Sequence, residues 1–274
     1  MFPFHIRMGP LALTPNELFT VLAVAICGWI VRRRLIALGS TNGGVLDFAL
    51  AALGGGAVGA RLYYFLPLWF RGQIAFGQLF STWADGSGFY GAFIGGAMAL
   101  GIAAKAKGMP VPATWDATMG MVPLGFGIGK VGCFLAGCCY GRLSPHGVGF
   151  AKDSLCYVTQ LRAGQIRSGA AVSLPVVPIQ LFDALFGLAL YGALVLLGRR
   201  SKRPGEVFAA CAVGYSCYRF FIEFVRDDPD RRTFGSSLLT DSQWTAIVVF
   251  LAGAACWIRL RLRKPAETGA VAPK

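Results

Sequence analysis

Seven long apolar runs divide this chain. They cover roughly residues 17–31, 45–66, 88–104, 114–130, 176–198, 206–225 and 243–258. A stretch of about 20 apolar residues reaches across a bilayer core as a helix, so each run reads as a span. The expected fold class is all-α: a polytopic membrane protein of about seven transmembrane helices. The polar positions test the count. Cationic clusters follow the first run (Arg32–Arg34), the third (Lys105, Lys107), the fifth (Arg199, Arg200, Lys202, Arg203) and the seventh (Arg259, Arg261, Arg263, Lys264). Each follows an odd-numbered run. With the N-terminus outside and the C-terminus cytoplasmic, all four lie on the cytoplasmic side, as the positive-inside rule requires.

Composition narrows the class. The chain has 274 residues, of which 55% are hydrophobic and 14% charged. Soluble domains carry about 25% charged residues. The formal net charge of +13 would suggest nucleic acid in a soluble protein. Here the cations sit in loops, with no basic stripe interleaved with aromatics, so no nucleic-acid partner is expected. The first apolar run precedes its cations, the reverse of a cleavable leader. The whole chain, 1–274, reads as one integral membrane domain. Its longest outer segment, about 131–175, forms a small extracytoplasmic head, and a disordered tail starts near residue 265. Gly54, Gly55, Gly56 and Gly59 in the second run, with Gly91, Gly95 and Gly96 in the third, suit close helix packing or room for a ligand.

Ionisable and polar groups at membrane depth are costly, which makes them functional candidates. Arg61 lies beside Tyr63 and Tyr64 in GARLYYFL, and Tyr90 enters the third run between glycines. Lys130 and Arg142 flank the turn of GKVGCFLAGCCYGRLSP, residues 129–145. Tyr215, Arg219, Glu223 and Arg226 recur at i, i+4, i+8 and i+11, one stripe of a helix. Arg61, Lys130, Arg142, Arg219 and Arg226 all fall toward the outer side, where a phospholipid headgroup is the natural anion. The cysteines of 129–145 leave readings open. Cys133, Cys138, Cys139 and Cys156 match no paired zinc spacing. A disulfide at Cys133 or Cys138 suits an oxidising outer face. A catalytic thiol would need an activating base, and the two histidines offer little.

Taken together, GARLYY, FYGAFIGG, GKVGCFLAGCCYG, PIQLFD (178–183), YRFFIEFVRDDPD and DSQW (241–244) resemble the bacterial prolipoprotein diacylglyceryl transferases over most of the chain. The resemblance implies a multi-pass enzyme of the bacterial inner membrane. Such an enzyme moves a diacylglyceryl group from phosphatidylglycerol to the lipobox cysteine of a preprotein signal peptide. No metal, nucleotide or other cofactor is implied. Its catalytic residues would be Arg219 and Glu223, with Arg226 beside them on the phosphate, and Tyr90 on the incoming thiol. Gly141 closes the signature turn, and Gln180 and Gln243 match polar family positions. Arg61, Lys130, Cys133, Arg142 and Tyr215 complete the expected lipid-binding set. The chain departs from the pattern at Lys130, where the family carries arginine, and at Cys133, where it carries asparagine. Ala136 and Cys138 replace further polar family positions, and Asn16 a tyrosine. The altered loop keeps open a related transferase with another acceptor, or a non-catalytic lipid-binding relative.

Overall fold

Apolar runs become helices here, and turn chemistry sets their ends. A computed structural model describes residues 6–8, 11–79, 88–226 and 239–262. The tail expected from residue 265 and the acidic cluster 227–230 lie outside the described residues. The helices are α1 (Pro15–Ala37), α2 (Asn42–Phe70), α3 (Phe89–Ala106), α4 (Val111–Thr118), α5 (Val122–Ala136), α6 (Leu155–Arg162), α7 (Ile179–Arg200), α8 (Glu206–Ile222) and α9 (Asp241–Leu262). Strand β1 (Ile6–Met8) pairs antiparallel with β2 (Leu11–Leu13), and β3 is Leu143–Val148. Among the described residues, five helical segments are long and apolar enough to cross a membrane: α2, α3, α4 and α5 taken together as Val111–Ala136, α7 and α9. Large apolar side chains such as Leu53, Ile102, Leu185 and Leu251 point outward from them, which suits a hydrocarbon solvent. The first and sixth runs are also helical, but α8 is only 17 residues long.

The described residues form two compact units. One gathers the residues up to Trp29, Met121–Ser201 and those from Ala209 onward. The other gathers Ile30–Gly120 and Lys202–Phe208.

In the second unit, glycine faces join α2 to α3. A Cβ built on Gly59 would lie 2.2 Å from the Gly91 carbonyl oxygen, and one on Gly95 2.2 Å from that of Gly55. Backbone therefore meets backbone, through two Gly-x-x-x-Gly faces. Of the two roles open to the glycines, Gly55, Gly59, Gly91 and Gly95 serve close packing. Trp115 of α4 donates to the Ala97 carbonyl at 2.7 Å. Asp116 accepts from the N–H groups of Gly205 and Phe208 at 2.6 and 2.8 Å, capping the start of α8.

In the first unit, α5 lies against α7, where a Cβ on Gly187 would meet the Pro123 carbonyl at 2.7 Å. Gly132 of α5 approaches α1, where a Cβ on it would lie 2.7 Å from Phe19 Cβ. The fourth run differs from expectation. It is broken at Met119–Met121 by a 3-10 turn, and its helix continues to Ala136 rather than stopping at residue 130. Lys130, the last residue of the expected run, lies inside the helix and is paired within the unit with Asp183. Gly137 ends the helix instead, at φ +67°. Its N–H donates to Phe134 and that of Cys138 to Cys133, the paired bonds of a Schellman cap. The head then folds on a small core of Phe150, Cys156 and Val176, flanked by Phe134 and Tyr140.

Candidate active site

Three polar clusters occupy the first unit. The first lies where α8 ends. The helix stops at Ile222, so the stripe read through residue 226 is not one continuous helix. Glu223 stands just past the last turn and is 5% exposed. It pairs with Arg219 through an Nη1 hydrogen bond and accepts from the Thr240 hydroxyl at 3.0 Å. Arg219 Nη2 donates to Ser242 at 3.3 Å. A buried carboxylate with two fixed partners holds the guanidinium in one orientation, the precondition for clamping an oxyanion. Gln243, fully buried, belongs to the same knot. Thr240 and Gln243 form a capping box at the start of α9: the Thr240 N–H donates to Gln243 Oε1 at 3.0 Å and the Gln243 N–H to Thr240 Oγ1 at 3.2 Å. The Gln243 amide also donates to the Phe220 carbonyl at 3.3 Å.

The second cluster centres on Lys130. Its ammonium lies 2.8 Å from Asp183 of α7 and 5.2 Å from the Phe126 ring centroid. Asp183 is 2% exposed and also accepts from the Tyr218 hydroxyl at 2.7 Å. Tyr215 packs edge-on against Phe126, centroids 5.6 Å apart. Lys130 thus stays inside the helical layer because Asp183 compensates it. Sequence reasoning quoted PIQLFD without singling out Asp183. The signal was present, since a carboxylate inside an apolar run is a candidate by default. Tyr218, Thr240 and Ser242 were also missed; a lone hydroxyl in a sequence carries no sign of its partner.

The third cluster is the loop after α5. Cys133, Cys138 and Cys139 bring their sulfurs within 4.8 Å of one another. The expected disulfide is absent, and all eight cysteines are free. Cys156 lies apart, buried in the head core. Cys133 donates to the Asn16 side-chain oxygen at 3.5 Å. The turn holds Cys139 at φ +55°, and Gln180 donates to the Cys138 carbonyl at 2.7 Å. The adjacent Cys133 and Cys138 thiols, with Lys130 and Arg226 nearby, pull the Cys139 thiol below the usual range. Gly141 follows in a crowded junction: its N–H donates to Val177, and a Cβ there would lie 2.9 Å from the Val225 carbonyl oxygen. Gly141 bridges Arg226 across that junction. The Arg142 N–H donates to Val225 at 3.2 Å, while its side chain is exposed.

Arg61 and Tyr90 belong to the second unit. Both are buried, at 6% and 4% exposure. Arg61 Nε donates to the Leu79 carbonyl at 2.9 Å, and its guanidinium lies 5.8 Å from the Tyr64 ring centroid. Arg61 is therefore enclosed by protein rather than snorkelling to the interface.

Comparison with known proteins decides the family. The family model described as prolipoprotein diacylglyceryl transferase matches residues 3–259. The chain belongs to the prolipoprotein diacylglyceryl transferase family. A relative from Clostridium perfringens named phosphatidylglycerol–prolipoprotein diacylglyceryl transferase 2 is 31% identical over 216 residues, 78% of each chain. One of the same enzyme name from Symbiobacterium thermophilum is 29% identical over 272 residues, covering 97% of this chain and 95% of its own. A Streptomyces coelicolor relative is 29% identical over 98% of this chain and 75% of its own. In this chain the loop at 129–141 carries a lysine held by a carboxylate and three gathered thiols.

Proposed function

We propose that this chain transfers a diacylglyceryl group from phosphatidylglycerol to the lipobox cysteine thiol of a preprotein, at the outer face of the bacterial inner membrane. The chain would lie there as one multi-pass integral domain of seven spans, with its N-terminus outside and its C-terminus cytoplasmic. The head after α5 would be extracytoplasmic. The acceptor sulfur attacks the glyceryl carbon that bears the phosphate oxygen. A C–S bond forms, the C–O bond breaks, and glycerol phosphate leaves with its charge. Arg219 and Arg226 bind that phosphate as charge builds on it, with Glu223 orienting Arg219. The resemblance assigns Tyr90 to the acceptor thiol, and the proton that the thiol gives up ends on the departing glycerol phosphate. Lys130, Arg142, Gln180, Tyr215, Gly141, Cys133 and Gln243 shape the lipid site of the first unit, and the resemblance also assigns Arg61 to lipid binding.

The observation that carries this reading is the buried Arg219–Glu223 pair, braced by Thr240 and Ser242. This guanidinium is held from two sides, as a receptor for a third group would be.

A second reading keeps the chemistry and changes the acceptor to another thiol or a hydroxyl. Cys133 in place of the family's asparagine favours it. The test is purified protein with labelled phosphatidylglycerol and a single-cysteine lipobox peptide, followed by mass spectrometry. The diacylglyceryl thioether is the expected product. Lipid binding with no thioether moves the assignment to the second reading if other acceptors are modified. It moves to a non-catalytic relative if no glycerol phosphate is released to any acceptor.

A further inference from the structure

The cysteine loop does not behave as cysteines in membrane proteins ordinarily do. Buried free cysteines act as small hydrophobes, and Cys156 and Cys211 fit that description at 0% and 1% exposure. Cys133, Cys138 and Cys139 are half-buried at the end of an otherwise apolar helix. Their spacing, C-x4-C-C, matches no paired metal motif, yet the backbone gathers all three. The Schellman cap at Gly137 turns the chain back on the last helical turn. Cys139, in the left-handed region at φ +55°, turns it again. Gln180 fixes the intervening carbonyl.

Three sulfurs no more than 4.8 Å apart enclose a point within about 2.8 Å of each. A zinc–thiolate bond is about 2.3 Å long, so a shift of a few tenths of an ångström closes the site. Thiolate ligands select soft, closed-shell ions. Lys130 precedes Cys133 by one helical turn, with its ammonium paired to Asp183.

We infer that Cys133, Cys138 and Cys139 form a three-thiolate site for one soft d10 metal ion, Cu+ or Zn2+. Binding exchanges the thiol protons for the metal, with no change of oxidation state. Zn2+ would complete its tetrahedron with water, and Cu+ would stay trigonal. The site shares Cys133 with the proposed lipid site, but its test is independent of the transferase reading, since it reads uptake and not turnover.

The experiment uses the full chain, purified in detergent, reduced and metal-free. It is titrated with Zn2+ alone and with Cu+ alone against a chromophoric chelator, and bound metal is counted per chain. One equivalent of one of these ions is expected, and the competition shows which is preferred. The Co2+-loaded protein should show thiolate-to-cobalt charge-transfer absorption. Cys133→Ser, Cys138→Ser and Cys139→Ser should each weaken uptake at least about 100-fold, and Cys217→Ser should leave it unchanged. Cys133→Asn, a polar side chain that is no soft ligand, covers the case in which a serine variant fails to fold. Folded wild-type protein that takes up neither ion overturns the proposal. So does uptake that survives Cys133→Asn together with Cys139→Ser.

Discussion

Single residues in this protein are legible as charges but not as partners. Lys130 is the clearest case. On the sequence it ends a greasy run; in the fold it is one half of a pair whose other half lies on α7, 53 positions away. Removing one member of a buried pair strands the other, at about 3 kcal/mol or more. Lys130→Met should therefore lower stability by roughly that amount in detergent unfolding, with Asp183→Leu in the same chain recovering most of it. Equal losses in the single and double variants would mean that Lys130 does not compensate Asp183. Arg219→Lys tests the clamp by geometry rather than charge. A lysine keeps the cation but cannot bridge Glu223 and Ser242 with a planar fork. We expect the folded variant to lose about 100-fold or more in thioether formation; an unchanged rate would remove Arg219 from the phosphate site.

Helix pairing is decided at the scale of elements, and there the spacing of small residues is informative. Gly55, Gly59, Gly91 and Gly95 repeat at four-residue intervals on α2 and α3, and the backbones meet on those faces. Gly59→Val should therefore destabilise the α2–α3 pair by about 2 kcal/mol or more, since no rotamer avoids the Gly91 carbonyl. Gly54→Ala, into open space, should be neutral in the same thermal assay. The start of α9 offers a second check. Gln243→Leu removes one half of the capping box and the bond to Phe220, and should cost about 1–2 kcal/mol. A larger loss of activity than of fold is expected from its place in the lipid site; activity that falls only with the fold would remove Gln243 from it.

At the scale of the whole molecule, the distribution of charge argues topology. Lys and Arg outnumber Asp and Glu 26 to 13, and the clusters alternate with the apolar runs. An epitope inserted at Gly164, in the head, should be reached by antibody on intact spheroplasts. One inserted after Lys202 should be reached only after permeabilisation. The reverse pattern would invert the proposed orientation, and access to both would break the seven-span count.

Apolar runs, small-residue spacing and signature segments were enough to read from the chain its helical class, its glycine-packed helices and its family. Those signals are local: a run of twenty residues or a four-residue interval carries its own meaning. The ends of helices and the company of polar groups were not local. The fourth helix runs past Lys130 because a distant carboxylate neutralises the lysine, and it stops where Gly137 adopts a left-handed turn. Three cysteines with no recognisable spacing converge because two left-handed residues fold a loop back on its helix. Pairing across the fold depends on which segments packing brings together, and that is decided only when the helices assemble.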